Sequence, residues 1–307
     1  MAATTFSTSA ALAPPGQPDI VYAPDFGKFQ ARTERRQKTE TLSKELPRGF
    51  PTELKGDLVW DGRTVAETYN WTYTLNPDQL AEIDRAVAHF QSLGLSLGHI
   101  TPDTFPLPTV RAELRRLSGE LHNGHGFFVL RGLRVDEHTR EENVIAYVGI
   151  SAHIAPLRGR QDAKFDGRPA DVVLTHIKDL TATAQKEAIG SPAYTTDKQV
   201  FHTDSGDIVS LFALETAAEG GASKLASTWK VYNEIARSRP DLIHTLSQDW
   251  DVEVRHLLRL WLRDPENAWE TPGPLRERFA ELYDGVTPEG QVLPVDPYIR
   301  SEGNKAR

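Results

Sequence analysis

Apolar side chains recur at helical spacing in the first half of the chain and predict three amphipathic helices. The first follows Asn76 and Pro77, which suit a helix N-cap and a first helical position. A second is marked by the apolar positions between Val110 and Leu121. The third begins at Thr139 and Glu142, whose spacing of three residues is that of a capping box.

Extended patterns appear next and dominate the middle of the chain. Residues 124–133 (GHGFFVLRGL) combine aromatic and β-branched side chains between glycines, which predicts a buried strand. Strands are also expected within 171–180 (DVVLTHIKDL) and 207–217 (DIVSLFALETA). A helix follows from Trp229 to Arg239 and is stopped by Pro240. Helices first and strands later favour an α+β domain with a β-sandwich or jelly-roll core over alternating β-α units.

The composition is that of a globular protein, with 39% hydrophobic and 25% charged residues among 307. No apolar run approaches the length of a membrane span, so an integral membrane protein is not expected. The net charge of −8 argues against binding to nucleic acid, which requires clustered Lys and Arg. Cysteine is absent, which excludes disulfides, thiolate metal sites and cysteine nucleophiles and fits a cytoplasmic protein.

The N-terminal 48 residues are predicted to be a flexible arm, followed by one domain over residues 49–307. The first eighteen residues carry no charged side chain and lack the features of a secretory or organellar leader. From Lys28 to Arg48 the chain carries seven basic and three acidic side chains. Such a mixed-charge segment could bind an acidic partner, but a solvated arm is the preferred interpretation.

His202 and Asp204 are the first candidates for chemistry. They lie two positions apart in a segment expected to be extended, so both side chains leave the same face and could hold one metal ion. A His-x-Asp triplet alone is weak evidence, because short combinations of common residues recur by chance. A glycine pair, Gly220 and Gly221, and a second extended segment follow. A facial triad needs such an arrangement, with a second imidazole arriving later in the chain.

Longer stretches of the sequence resemble the TauD/TfdA-type dioxygenases, especially their fungal branch. The resemblance covers most of the chain from about Thr74 onward and is carried by LGLSLGHITPDTFPLP, LHNGHGFFVLRGL, LTHIKDL, SPAYTTDKQVFHTD, the run from His202 to Ile243, and RHLLRLWLRDPENAW. It implies a double-stranded β-helix that binds Fe(II) and 2-oxoglutarate. In that family the keto acid is decarboxylated to succinate and CO2, and a C–H bond of a small organic substrate is oxidised with O2.

The resemblance also implies roles for individual residues. His202 and Asp204 match the first two iron ligands, and Ser223 matches the hydroxyl residue that helps to hold the keto-acid carboxylate. Arg255, with Arg259 as its neighbour, matches the arginine that pairs with the same carboxylate. An arginine suits this role because its planar guanidinium can donate two parallel hydrogen bonds. Ser223 could instead satisfy a turn after the glycine pair, and Arg255 could lie on a solvated edge.

The sequence departs from the family pattern between Asp251 and Arg255. The family has a long block there, with several core strands and the distal histidine that is its third iron ligand. In this chain only three residues separate Asp251 from Arg255. His256 alternates with Arg255 along the expected strand and would point to the opposite face. Losing one ligand of three should weaken metal binding, and losing strands should expose sheet edges.

Two functions therefore stay open. The chain is either an Fe(II)- and 2-oxoglutarate-dependent dioxygenase or a catalytically impaired family member that acts as a binding or dimerisation module through exposed edges. An unrelated hydrolase has little support. H-E-x-x-H is absent, and residues 94–98 (GLSLG) match G-x-S-x-G but follow a predicted helix, so they do not form the strand-to-helix elbow of a nucleophile. His176 could contact substrate or cofactor, although a lone histidine on a half-buried strand is more often a hydrogen-bonded core residue. His153 and His244 are assigned no role.

Overall fold

The computed structural model describes residues 26–184, 189, 192–197, 199, 201–204, 206–248 and 285–297, a mixed α+β arrangement. The helices within these ranges are α1 (Phe26–Thr39), α2 (Val65–Thr68), α3 (Pro77–Ser92), α4 (Val110–Asn123), α5 (Arg140–Ile154), α6 (Thr228–Ser238) and α7 (Pro240–Leu246). The strands are β1 (Thr72–Thr74), β2 (Val129–Arg131), β3 (Asp162–Phe165), β4 (Arg168–Val172) and β5 (Gln291–Val292). None of these described helices has both the length and the apolar character of a membrane span.

Helix α3 begins as the sequence predicts. The Asn76 side chain accepts the backbone N–H of Gln79 at 3.0 Å, and the Gln79 side chain accepts the N–H of Asn76 at 2.9 Å. This capping box satisfies two of the N–H groups that a helix start leaves unpaired. The apolar face of α3 carries Ile83 and Phe90, each at most 2% exposed. Burying a side chain of this size stabilises the fold by about 1.5–3 kcal/mol, so this face anchors the helix.

Helices α4 and α5 complete the main core with α3. The predicted capping box of Thr139 and Glu142 is confirmed at the start of α5. The start of α4 is held differently, because the carboxylate of Glu82 on α3 accepts the backbone N–H groups of Thr109 and Val110. One helix therefore caps another. The largest buried side chains of this main core are Phe90, Phe105, Ile83, Ile100, Leu107, Leu114 and Ile145.

The strands form two small sheets within the described residues. Strands β1 and β2 pair in parallel, and β3 and β4 form an antiparallel hairpin. The hairpin turns at Asp166 and Gly167, which both have a positive φ. Strand β5 pairs in parallel with β4 and is followed by Leu293, which is buried in the main core. The segment after residue 285 therefore returns to the same core that the helices build.

The α+β prediction is confirmed, but the strands differ from those predicted. The buried strand expected within 124–133 shrinks to Val129–Arg131, and Val129 is 41% exposed. Residues 207–217 have the composition of a strand but form none, so that prediction is wrong. A strand requires a neighbour that pairs with its backbone, and the described segments provide none for these residues. The described residues form sheets of two and three strands, so the expected jelly roll of about eight strands is not confirmed.

A second, smaller core joins the segment before α2 to helices α6 and α7. Tyr232 and Ile243 pack there against Leu54. The side-chain amide of Asn233 also binds the backbone of Leu54. Its Nδ2 donates to the carbonyl of Leu54 at 2.9 Å, and its Oδ1 accepts the N–H of Leu54 at 2.7 Å. The predicted helix before Pro240 is confirmed as α6, and Pro240 itself begins α7.

Helix α1 lies in the segment predicted to be an arm, whose first eighteen residues are outside the described ranges. Most side chains of α1 are exposed, as a solvated mixed-charge segment requires. Arg239 nevertheless donates a hydrogen bond to Thr33 at 3.4 Å, and Nε2 of His244 lies 2.8 Å from the carbonyl of Glu45. These contacts join the segment to the α6–α7 corner.

Candidate functional site

His202 and Asp204 come close together in the structure. Nε2 of His202 lies 3.8 Å from Oδ1 of Asp204, and the two side chains are 51% and 57% exposed. Residues 201–204 form no strand, so the pair approaches without the extended geometry that the sequence predicts. Both groups are open to solvent and to small ligands.

The separation of these two donor atoms fits a shared metal ion. With bonds of about 2.1 Å to imidazole nitrogen and carboxylate oxygen, two donors on one ion can be at most about 4.2 Å apart. Adjacent donors of an octahedral ion lie about 3 Å apart, which exposed side chains reach by a small rotation. Nitrogen and oxygen donors of this kind suit Fe(II). The described residues contain no group of three or more His, Cys, Asp or Glu that could hold a metal ion.

Ser223 lies in an exposed stretch just after the glycine pair. Gly220 and Gly221 have φ of 73° and 69°, a conformation that residues with a Cβ rarely adopt. A Cβ at Gly221 would also lie 2.9 Å from the side chain of Ala217. The chain therefore turns sharply before Ser223, whose exposed position is compatible with both the turn role and the ligand role.

The arginines predicted to bind the keto acid cannot be placed with the pair. Arg255 and Arg259 lie outside the described residues, as do His256 and the junction after Asp251. Their roles, and the internal truncation predicted at that junction, stay predictions.

Three other histidines have partners that indicate structural roles. In each, Nε2 lies 2.7–2.8 Å from a backbone carbonyl, so this nitrogen carries a proton and donates it. The pairs are His176 with Pro294, His153 with Phe105, and His244 with Glu45. Burial lowers the pKa of His153, which favours its neutral form. The interpretation of His176 as a hydrogen-bonded core residue agrees with this geometry.

Tyr147 is a contact residue that sequence reasoning missed. Its hydroxyl donates to the carbonyl of Ser210 at 2.8 Å, and its ring stacks on Phe212 with centroids 5.1 Å apart and planes at 15°. Burial raises the pKa of Tyr147, so the hydroxyl keeps its proton and remains a donor. A separation of 63 residues hides the contact with Ser210 from sequence patterns. The only signal was an aromatic residue in a helix of mainly aliphatic side chains.

A cluster around His125 was also missed. Nδ1 of His125 lies 2.8 Å from Glu120, the ring of Tyr69 stacks on His125 at 3.8 Å, and Nε1 of Trp60 donates to the His125 carbonyl. Burial opposes ionisation of Glu120, but hydrogen bonds from His125 outweigh it and lower the carboxyl pKa. A surface cleft of about 450 Å³ lies beside Trp60 and His125. The cluster connects the segment that carries Trp60 and Tyr69 to the turn after α4. The aromatic residues of that segment were its only signal in the sequence.

The chain is similar in sequence to known proteins over about two thirds of its length. Residues 89–280, well over half of the chain, match the family described as taurine catabolism dioxygenase TauD, TfdA family. The chain is 37% identical over 215 residues to the taurine hydroxylase-like protein SAT17 of Stachybotrys chartarum, covering 67% of this chain and 54% of the relative. It is 24% identical over 190 residues to FR-33289 synthase of Streptomyces rubellomurinus, covering 62% and 54%.

The chain thus spans about half the length of these curated relatives. The matched range contains His202, Asp204 and Ser223, the candidate residues whose positions the structure describes. It also contains helices α4 and α5 of the main core. The chain therefore belongs to the TauD/TfdA dioxygenase family.

Proposed function

We propose that this chain is an Fe(II)- and 2-oxoglutarate-dependent dioxygenase that oxidises a small organic substrate with O2. The observation that carries the proposal is the His202–Asp204 pair, with donor atoms 3.8 Å apart inside the range matched by the family. One relative is named as a taurine hydroxylase-like protein, which agrees with an oxidative reaction class. The double-stranded β-helix core implied by the resemblance is part of the same proposal.

Each candidate residue has a role in this proposal. His202 would bind the metal through Nε2 and Asp204 through a carboxylate oxygen. Ser223, Arg255 and Arg259 would bind the carboxylate of 2-oxoglutarate, because a hydroxyl and a guanidinium donate hydrogen bonds to a negative group. Fe(II), when bound with the keto acid and O2, supplies the oxidising chemistry, and the keto acid is released as succinate and CO2. The exposure of the His202–Asp204 pair leaves space for these small molecules.

Succinate formation from 2-oxoglutarate, with added Fe(II) and ascorbate, tests the proposal. The wild type should form succinate, and His202→Ala should reduce the rate by more than about 100-fold. Removing a residue that only hydrogen-bonds to a metal ligand lowers activity by up to about 100-fold, and removing the ligand itself should lower it further. His89→Ala is the matched control, because His89 is an exposed histidine on α3. Equal rates in the wild type and His202→Ala would contradict the proposal, as would a folded protein without turnover or iron binding.

One observation favours a second candidate, a non-catalytic derivative of the family. The described residues contain no group of three potential metal ligands, and only three residues separate Asp251 from Arg255, where the resemblance implies the distal histidine of the family. Large apolar side chains are also exposed in the stretch of chain from residue 201 to residue 225, as a surface that binds another copy would require: Phe201, Val209, Leu211 and Leu225. This chain would then act as a binding or dimerisation module.

Two measurements separate the candidates. Transcripts read across the codons from Asp251 to Arg255 show whether longer messages carry the strands and the histidine. If they do, this chain is a shortened version of an enzyme. Light scattering after size-exclusion chromatography gives the oligomeric state of the polypeptide as written. A dimer without succinate formation supports the non-catalytic candidate, whereas turnover that depends on His202 rules it out.

A further inference from the structure

Tyr147 joins the segment of the candidate metal site to the main core. It makes a hydrogen bond to the carbonyl of Ser210 and a stacking contact with Phe212. Two contacts of different kinds, made to residues two positions apart, fix both the place of the chain and its rotation. The segment is therefore oriented at this point as well as tethered.

The helix that carries Tyr147 provides a firm base for these contacts. Helix α5 starts at a complete capping box, and its core-facing side chains are closely packed. Ile145, Ala146 and Val148, the neighbours of Tyr147 in sequence, are at most 4% exposed. Closely packed core residues do not shift without losing contacts, so the backbone under Tyr147 is fixed.

The segment held by Tyr147 has little regular structure of its own. The described residues 206–226 include no helix and no strand. Val209 and Leu211, on either side of Ser210, are 55% and 69% exposed, whereas Phe212 is partly buried. Ser210 is exposed as well, so the segment meets the core here through its backbone carbonyl and the ring of Phe212. Tyr147 provides the partner for both contacts from α5.

We propose that Tyr147 is a positioning residue for the metal site, an inference that rests on the proposed function. Holding Ser210 fixes the chain six residues after Asp204 and thirteen before Ser223. Six residues span at most about 20 Å, so the anchor keeps Asp204 within that distance of Ser210 and therefore close to α5 and the main core. When the segment detaches, the pair loses its fixed place relative to the main core, so a metal ion that binds the docked form should in turn favour docking.

The variant Tyr147→Phe isolates the hydrogen bond. It keeps the ring on Phe212 and removes the hydroxyl that reaches Ser210. Loss of one such bond should lower the ratio of docked to undocked segment about two- to tenfold. Tyr73→Phe is the matched control, because it also removes a hydroxyl with a side-chain partner, Gln79 at 2.7 Å, but acts on β1.

Limited proteolysis without metal measures docking directly. Chymotrypsin can cleave after Phe212 only when that side chain leaves Tyr147, so the rate follows the undocked population. Phe201, 61% exposed in the same part of the chain, is an internal control. Tyr147→Phe should accelerate cleavage after Phe212 about two- to tenfold and leave cleavage after Phe201 unchanged. Equal rates after Phe212 in Tyr147→Phe and the wild type would overturn the proposal.

Co(II) titration, followed by visible absorption, tests the effect on the metal site. The wild type should bind Co(II), and His202→Ala should not. Saturating Co(II) should slow cleavage after Phe212 about fivefold or more in both the wild type and Tyr147→Phe and leave it unchanged in His202→Ala, a link between the two sites that a purely structural role does not produce. Cleavage after Phe212 that Co(II) does not slow, in a protein whose Co(II) binding depends on His202, overturns the positioning role and leaves the proposed function standing. Co(II) binding that ignores His202 overturns both, and faster cleavage after Phe212 then shows only that Tyr147 holds the segment.

Discussion

Replacing Glu82 should detach the start of α4 from α3. Glu82 is 6% exposed, and one of its carboxylate oxygens accepts the N–H groups of Thr109 and Val110 at 2.8 and 2.9 Å. A helix leaves N–H groups at its start without internal partners, and the side chain of Thr109 makes no cap bond here. The negative charge also lies at the positive end of the α4 dipole.

The expected magnitude follows from these contacts. A hydrogen bond to a charged group contributes about 1.5–3 kcal/mol, but the two bonds share one oxygen and burial of the carboxylate opposes them. Glu82→Ala leaves both N–H groups without their partner and should lower the free energy of unfolding by about 2–4 kcal/mol. Glu82→Gln keeps an oxygen acceptor and loses the charge, so it should cost about 1 kcal/mol.

Urea unfolding followed by circular dichroism measures both variants. Glu141→Ala is the control. Like Glu82, Glu141 is an acidic residue at the start of a helix, here the first turn of its own helix α5, but its side chain is exposed. It therefore reports the dipole interaction alone, about 0.3–1 kcal/mol. If Glu82→Ala cost no more than Glu141→Ala, the reasoning about the buried cap would be refuted.

The pH dependence of the Glu82 contribution has a defined sign. Burial raises the pKa of Glu82, but the hydrogen bonds from Val110 and Thr109 outweigh it and leave the pKa below its usual value of 4.5. A carboxyl with a lower pKa in the folded state stabilises the fold above the unfolded pKa and loses this contribution as the pH falls through the folded pKa. The stability difference between the wild type and Glu82→Gln should stay constant from neutral pH to about pH 5 and then shrink. A difference that grew on acidification would contradict the assignment.

Other variants test the two cores. Gly149→Ala should lower the free energy of unfolding by about 1–3 kcal/mol, because its Cβ would lie 2.5 Å from ring atoms of Phe105. Gly119→Ala, with nothing within 4 Å of the new Cβ, should raise it by about 0.5–1 kcal/mol, and thermal unfolding compares the two. Asn233→Ala should cost about 1–3 kcal/mol, since both backbone groups of Leu54 lose their partner. Asn233→Asp keeps the acceptor but sets a carboxylate oxygen against the Leu54 carbonyl, so it should cost at least as much in urea unfolding, and a much smaller cost would count against the two-bond clamp.

Contacts between near neighbours in sequence could be predicted. The capping boxes at Asn76 and Thr139 join residues three positions apart, and the structure contains both. His202 and Asp204 are two positions apart, and their donor atoms lie 3.8 Å from each other. So little chain separates such partners that their residue types and spacing nearly determine the contact.

Contacts between distant residues could not be predicted in this way. Glu82 caps a helix 27 residues further on, and Tyr147 meets Ser210 after 63 residues. Residue type does not say which distant backbone a side chain will meet. The error at 207–217 has the same origin, because a strand depends on a partner from elsewhere in the chain as well as on its own composition.

The parallel pairing of β5 with β4 affects where this chain can gain or lose residues during evolution. Helix α7 is held in the second core through Ile243, and β5 leads into Leu293 in the main core. The chain between residues 248 and 285 therefore starts and finishes at fixed points. The entropic cost of joining two fixed points with a flexible chain rises only with the logarithm of its length, by about 0.6 kcal/mol for each doubling. A change in chain length therefore costs little closure entropy in this interval, and the truncation predicted between Asp251 and Arg255 falls within it.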